Sequence, residues 1–168
     1  MMSKSHFNDI TLDINFQLST FDRDWREVEF KIVGCDDDDQ EIILGSGGGY
    51  MISLPYSHEH LVDISDETSQ ACYDICSEFE SFDVCGTLNY LVLTYIKIDE
   101  QFRKKGVGLL VMKLLSDFFW NYTILIRPHP IKGSTDDIKM GIKKLQKYWR
   151  KVGFEQSGKS PIFYNVCL

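Results

Sequence analysis

Lysine and arginine are scarce over the first 100 residues of this 168-residue chain, 5 against 21 aspartates and glutamates, a balance of −16. The shortage reverses over residues 101–168, where 13 cations face 4 anions for +9, so the overall charge of −7 conceals two opposed regions. An acidic total argues against general nucleic-acid binding, whereas the basic third attracts phosphates and the acidic part suits a cationic substrate or simply solubility. Also missing is any apolar run of the roughly 18 residues needed to cross a bilayer. Residues 1–23 lack the basic start and apolar core of a secretory signal. The expectation is a soluble, cytoplasmic protein. Cysteine is sparse and odd in number, at 35, 72, 76, 85 and 167, without two CxxC pairs. That speaks against a disulfide framework or a zinc site and predicts reduced, buried thiols. Nor is there an internal repeat, a low-complexity tract or a linker, so residues 1–168 read as one domain.

What is present alternates between two periods. ITLDINFQL (10–18), VEFKIVG (28–34) and EIILG (41–45) alternate apolar and polar residues and predict strands. The aspartates at 36–39 suit a hairpin turn; they lack the spaced ligands and distant glutamate of a calcium loop. GSGGGYMISL (45–54) has neither the following helix nor the GKS or GKT ending of a phosphate loop, and reads as a bulge or bend in a long strand. Residues 66–82 have apolar positions 71, 72, 75, 76 and 79 at helical spacing behind a cap-like Ser65 or Asp66. They predict one amphipathic helix. LNYLVLTYIKI (88–98) is rich in β-branched and aromatic residues, as a strand is. A helix follows from Gly106 through Val107, Leu110, Val111, Leu114, Leu115 and Phe118, then the strand YTILIRP. A second amphipathic helix carries Ile138, Ile142, Leu145 and Trp149 on one side, with Gly153 placed as its C-cap, and IFYNVCL closes the chain as a strand.

The chemistry is concentrated in QFRKKGVGLLVMKLL (101–115). A glycine turn between a strand and a helix exposes unpaired N–H groups at the helix N-terminus, where the helix dipole also favours an anion. Gly106 and Gly108 permit close backbone approach, and Arg103, Lys104 and Lys105 add mobile positive charge. Each glycine weakens the helix by about 1 kcal/mol, which is reasonable where an open N-terminus matters. Alone, the pattern also fits a basic helix start without a ligand.

In context, YIKIDEQFRKKGVGLLVMKLL (95–115) resembles the acyl-CoA-binding signature Q/R-x-x-G-x-G/A of the GNAT N-acyltransferase superfamily. LQKYWRKVGFEQSG (145–158) resembles that family's second signature, an aromatic pair and a GF dipeptide. The resemblance covers residues 88–168. It implies an α/β fold with a central, mixed, mostly antiparallel twisted sheet of about six to seven strands, flanked by about three helices, with a V-shaped splay holding acyl-CoA. It further implies that Ile96, Lys97 and Ile98 hold the pantetheine arm and that Arg103, Lys104, Lys105, Gly106, Val107 and Gly108 hold the pyrophosphate. The implied reaction is transfer of acetyl from acetyl-CoA to a primary amine on a small molecule, a protein N-terminus or a lysine, with no metal and no membrane. RNA or a protein as acceptor, and a homodimer, stay open.

Several positions depart from the family pattern. Its usual tyrosine acid falls at Trp149, one residue from Tyr148, and adjacent helix side chains point about 100° apart. Tyr148 and Tyr164 are the candidate acids, with Tyr95 beside the cofactor strand; the other reading of Tyr148 and Trp149 is packing. Some relatives carry a glutamate base on the strand that here reads TILIRPHP and has none; His129, a group that can titrate near neutral pH just past the end of that strand, is the leading candidate base, with Asp99 and Glu100 read as solvated. His58 and His60 in PYSHEH read as a solvated loop, and Cys72 and Cys76 as core rather than metal ligands. The extra helix lies between the third and fourth strands, which predicts an unusual acceptor pocket. The alternatives are an acyl-CoA-binding module without catalysis, or RNA contact through Lys139, Lys143, Lys144, Lys147, Arg150 and Lys151.

Overall fold

The computed structural model describes residues 10–16, 24–35, 39–85, 89–128 and 135–166. Along β2 (Trp25–Cys35) the alternate residues Val28, Phe30 and Ile32 are buried while Glu29 and Lys31 face out, so one face of the strand is core and the other is not. β1 (Ile10–Phe16), β2, β3 (Glu41–Ser53) and β4 (Asn89–Ile98) form an antiparallel run. β4 then pairs in parallel with β5 (Thr123–Ile126), the chain crossing between them through α4 (Val107–Phe118). β7 (Phe163–Val166) pairs antiparallel with β5, and β6 (Glu155–Gln156) forms the far edge, giving the order β1-β2-β3-β4-β5-β7-β6. The expected α/β class with a mixed, mostly antiparallel sheet is met by seven strands.

Each face of the sheet has its own core. On one, Val28, Phe30, Leu91, Leu93, Ile124 and Phe163 pack with Val111, Met112 and Leu115 of α4 and Trp149 of α5 (Thr135–Lys151). On the other, Ile52, Tyr90, Val92 and Leu125 meet Leu61 and Ile64 of α1 (His58–Asp66) and Cys72, Ile75 and Cys76 of α2 (Gln70–Ser77). A four-residue helix, α3 (Phe82–Cys85), leads back towards β4.

The single helix expected over 66–82 is therefore divided. Asp66 ends α1 rather than starting a helix, and Ser65 is buried inside it, its hydroxyl donating to the Val62 carbonyl at 2.7 Å. The cap that starts α2 is Ser69, whose hydroxyl accepts from the Cys72 N–H at 3.3 Å. PYSHEH is likewise a helix start and not a loop, with Ser57 capping α1 through the His60 N–H. His58 Nε2 lies 2.8 Å from the Cys76 carbonyl oxygen and His60 stacks on Tyr56, so the two imidazoles tie α1 to its neighbours. β6, two residues long, was not foreseen, and the flanking helices number five among the described residues rather than about three. Most of the aspartate turn, 36–38, lies outside the described residues, as does the 17–23 connection. No helix among the described residues is long and apolar enough to cross a membrane.

Candidate functional site

The site begins with a fault in the β3 to β4 ladder. Leu93 pairs with Gly49 and Tyr95 with Gly48, so Thr94 is an extra residue with no partner, a β-bulge. Its hydroxyl donates to the Gly48 carbonyl at 3.1 Å. Because the side-chain period of a strand is two, the extra residue shifts the alternation: Leu91 and Leu93 face the α4 side before the bulge, Ile96 and Ile98 after it. On the far side, β5 pairs only with Tyr90 to Leu93 and stops at Ile126, so no strand among the described residues covers that edge of β4 from Thr94 to Ile98. A cavity of about 340 Å³ opens there, between the second half of β4, the end of β5 and the inner side of α5. Leu93, Ile96, Ile126, Leu145 and Trp149 form its apolar walls.

The glycines of β3 thin the sheet beside this opening. A side chain on Gly47 would collide with the Phe30 ring, and one on Gly48 would approach the Tyr95 ring to 2.9 Å. Tyr95 therefore lies across Gly48, 45% exposed at the cavity rim. Partial desolvation, followed by the charges of Glu29 and Glu27, raises its pKa.

β4 runs out at Ile98 into a 3-10 turn (Glu100–Phe102) and then α4, whose N-cap is Gly106 at φ 84° with no side-chain cap. That left-handed conformation favours glycine, and a side chain there would meet nothing within 4 Å, so the approach to the first turn is open. The three cations surround it differently. Arg103 folds back, its Nε donating to the Ile98 carbonyl at 2.9 Å and its NH1 lying 3.5 Å from Glu100. Lys104 occupies the left-handed region at φ 63°, and Lys105 Nζ sits 5.7 Å from the centre of the Phe102 ring. All three are exposed, whereas Val107 is buried in the core. Of the expected pantetheine-arm residues, Ile96 and Lys97 line the cavity, and Ile98 packs on the core just beyond it.

The end of α5 decides which aromatic residue reaches the cavity. Gly153 is left-handed at φ 89°, the Phe154 N–H donates to the Trp149 carbonyl at 3.1 Å, and the Gly153 N–H donates to the Arg150 carbonyl at 3.3 Å. This pair of bonds is a Schellman cap. It folds the Phe154 ring onto Trp149, centres 5.7 Å apart, and holds the indole in the cavity wall at 7% exposure. Tyr148 consequently points elsewhere: its hydroxyl lies 2.6 Å from where a Gly108 Cβ would be, beside the first turn of α4. Burial there pushes its pKa up to about 12. Tyr148 is not among the residues that line the cavity. Tyr164 faces the opposite core, its ring 5.6 Å from Phe79 and its hydroxyl 3.4 Å from Glu155 Oε2. His129 lies outside the described residues.

Two contributors escaped the sequence reading. Thr94 creates the bulge, and Arg127, directly after β5, lines the cavity while pairing with Glu78 at the end of α2. Arg127 carries a signal, a cation straight after a fully buried strand; the bulge falls at Gly48 and Gly49, within the stretch expected to bulge or bend, but the extra residue is Thr94 of the partner strand. The basic face of α5 is exposed throughout, but Trp149 within it is buried and cannot stack on a base. No protein-family model, curated protein or solved structure matches this chain.

Proposed function

We propose that this chain is an N-acyltransferase with a GNAT-like arrangement, transferring acetyl from acetyl-CoA directly to a primary amine on a small molecule, a protein N-terminus or a lysine. The observation that carries this reading is the uncovered edge of β4 from Thr94 to Ile98, which faces a cavity and runs into the uncapped start of α4. An extended, amide-bearing arm such as pantetheine can add to that edge as a strand would. A pyrophosphate at its other end then meets the N–H groups after Gly106 and the side chains of Arg103, Lys104 and Lys105.

With the thioester in the cavity, the neutral amine forms the C–N bond at the carbonyl carbon, and a β4 N–H stabilises the charge on the carbonyl oxygen. The C–S bond then breaks, and the proton lost by nitrogen ends on sulfur. Tyr148, held protonated by burial beside the first turn of α4 and outside the cavity lining, is not suited to acting as the base. Among the described residues that line the cavity there is no carboxylate or histidine. That observation favours a second reading, an acyl-CoA-binding module without catalysis.

Calorimetry with acetyl-CoA, combined with an assay for free CoA over a panel of amines, tests both. Wild type should bind, and Gly108→Glu, which sets a negative side chain against the pyrophosphate position, should lose binding while keeping its far-ultraviolet circular dichroism. Unchanged affinity in the variant rejects the site, and binding without thiol release on every amine favours the module.

A further inference from the structure

The charges around the cavity point to one kind of chemical group. Its body is apolar, and the charged side chains that line it, Lys97 and Arg127, are both cationic. Glu78 offsets the charge of Arg127 and Lys97 adds a second cation, so the lining favours an anion over a lone ammonium, the more so because apolar walls weaken screening. Arg127 is the better placed of the two. It follows Ile126, which packs into the α4-side core, so the alternation of the strand sends its side chain towards α2, where Glu78 pairs with NH2.

That pairing leaves the guanidinium only partly used. Its Nε–H is buried without an acceptor, and the planar fork offers more donors than one carboxylate oxygen engages. Glu78 is 42% exposed, so an incoming carboxylate can reach the fork from solvent and share it or displace Glu78.

Resting on the acyltransferase reading, we infer that the cavity takes a carboxylate, received by Arg127, carried by one of the two reactants: an amine acceptor of the α-amino-acid type, or an acyl group that itself ends in a carboxylate. In the first case the carboxylate cancels the repulsion felt by the ammonium and turns the nitrogen towards the β4 edge. In the second it anchors the far end of the acyl chain. Glu78 is the resident counter-ion of Arg127, with which the incoming carboxylate shares or competes for the guanidinium.

Two binding comparisons, each run on wild type, Arg127→Gln and Glu78→Gln, separate the sources. One compares succinyl-CoA with acetyl-CoA; the other compares α-amino acids with their carboxamides in the presence of CoA. Wild type should favour the carboxylate-bearing member in one of them by about tenfold or more. Arg127→Gln should erase that preference. Glu78→Gln, which frees the guanidinium, should keep or strengthen it, an effect that a purely structural ion pair does not produce. Equal loss in both variants overturns the proposal, and so does a wild type that binds acetyl-CoA but shows neither preference. A wild type that binds neither thioester overturns the acyltransferase reading and the carboxylate site together.

Discussion

Tyr148 and Trp149 are neighbours in sequence with different work to do. The indole is fixed in the cavity wall by Phe154, and the phenol lies along Gly108 at the start of α4. The pKa of Tyr148, raised to about 12 by burial, has a defined consequence. A folded-state value above the unfolded one, about 10, gives stabilisation that is complete below pH about 10 and is lost as the pH climbs through the folded value. Tyr148 therefore contributes no pH dependence of stability across the neutral range. The tyrosinate absorbance of wild type minus that of Tyr148→Phe should rise with a midpoint near 12. A midpoint near 10 means that the phenol is not held against α4.

At the scale of elements, the glycine run of β3 is set by what lies opposite. A side chain on Gly49 meets the backbone carbonyl of Val92, which can move only if the β3 to β4 ladder opens, whereas one on Gly108 meets only the far end of Tyr148. Gly49→Ala should lower unfolding stability by at least about 2 kcal/mol. Gly108→Ala should leave the urea midpoint nearly unchanged while shifting the tyrosinate titration of Tyr148. Comparable losses in both variants contradict this account of the sheet. The long strands and α4 were legible because their periodicity extends over many residues. The division between α1 and α2 was not, since the apolar spacing through 71, 72, 75, 76 and 79 fits a continuous helix equally well. What separates them is local: Thr68 returns its N–H and hydroxyl to the Ser65 carbonyl, and Ser69 begins again as a cap. β6 is too short to show a period. At the site, the glycine turn before α4 stood out in sequence, but the bulge at Thr94 and the pairing of Arg127 with Glu78 depend on residues far apart in the chain.

Across the whole molecule, the charge division follows the architecture. β1 to β4 and α1 to α3 come from the acidic region, and α4, α5 and the closing strands come from the basic one. Phosphate attraction from this basic side acts over a screening length of about 10 Å at 0.1 M salt. Affinity for CoA should thus fall as ionic strength rises, while acetyl-pantetheine, which lacks the pyrophosphate, should bind with little salt dependence. Equal insensitivity of both removes the cations before α4 from the site.

The edge of β4 beyond Leu93 also bears on how the protein behaves in a crowded solution. Sheets usually end at their outer margins, where another molecule's sheet can dock and start an aggregate. Here a stretch of β4 without a described strand partner faces a cavity of about 340 Å³, lined also by residues of β5 and α5, and not the outer margin of the sheet. The position of that edge then matters for solubility: a second sheet would have to enter past β5 and α5 to pair with it, whereas an edge at the margin of the sheet is open to any neighbour.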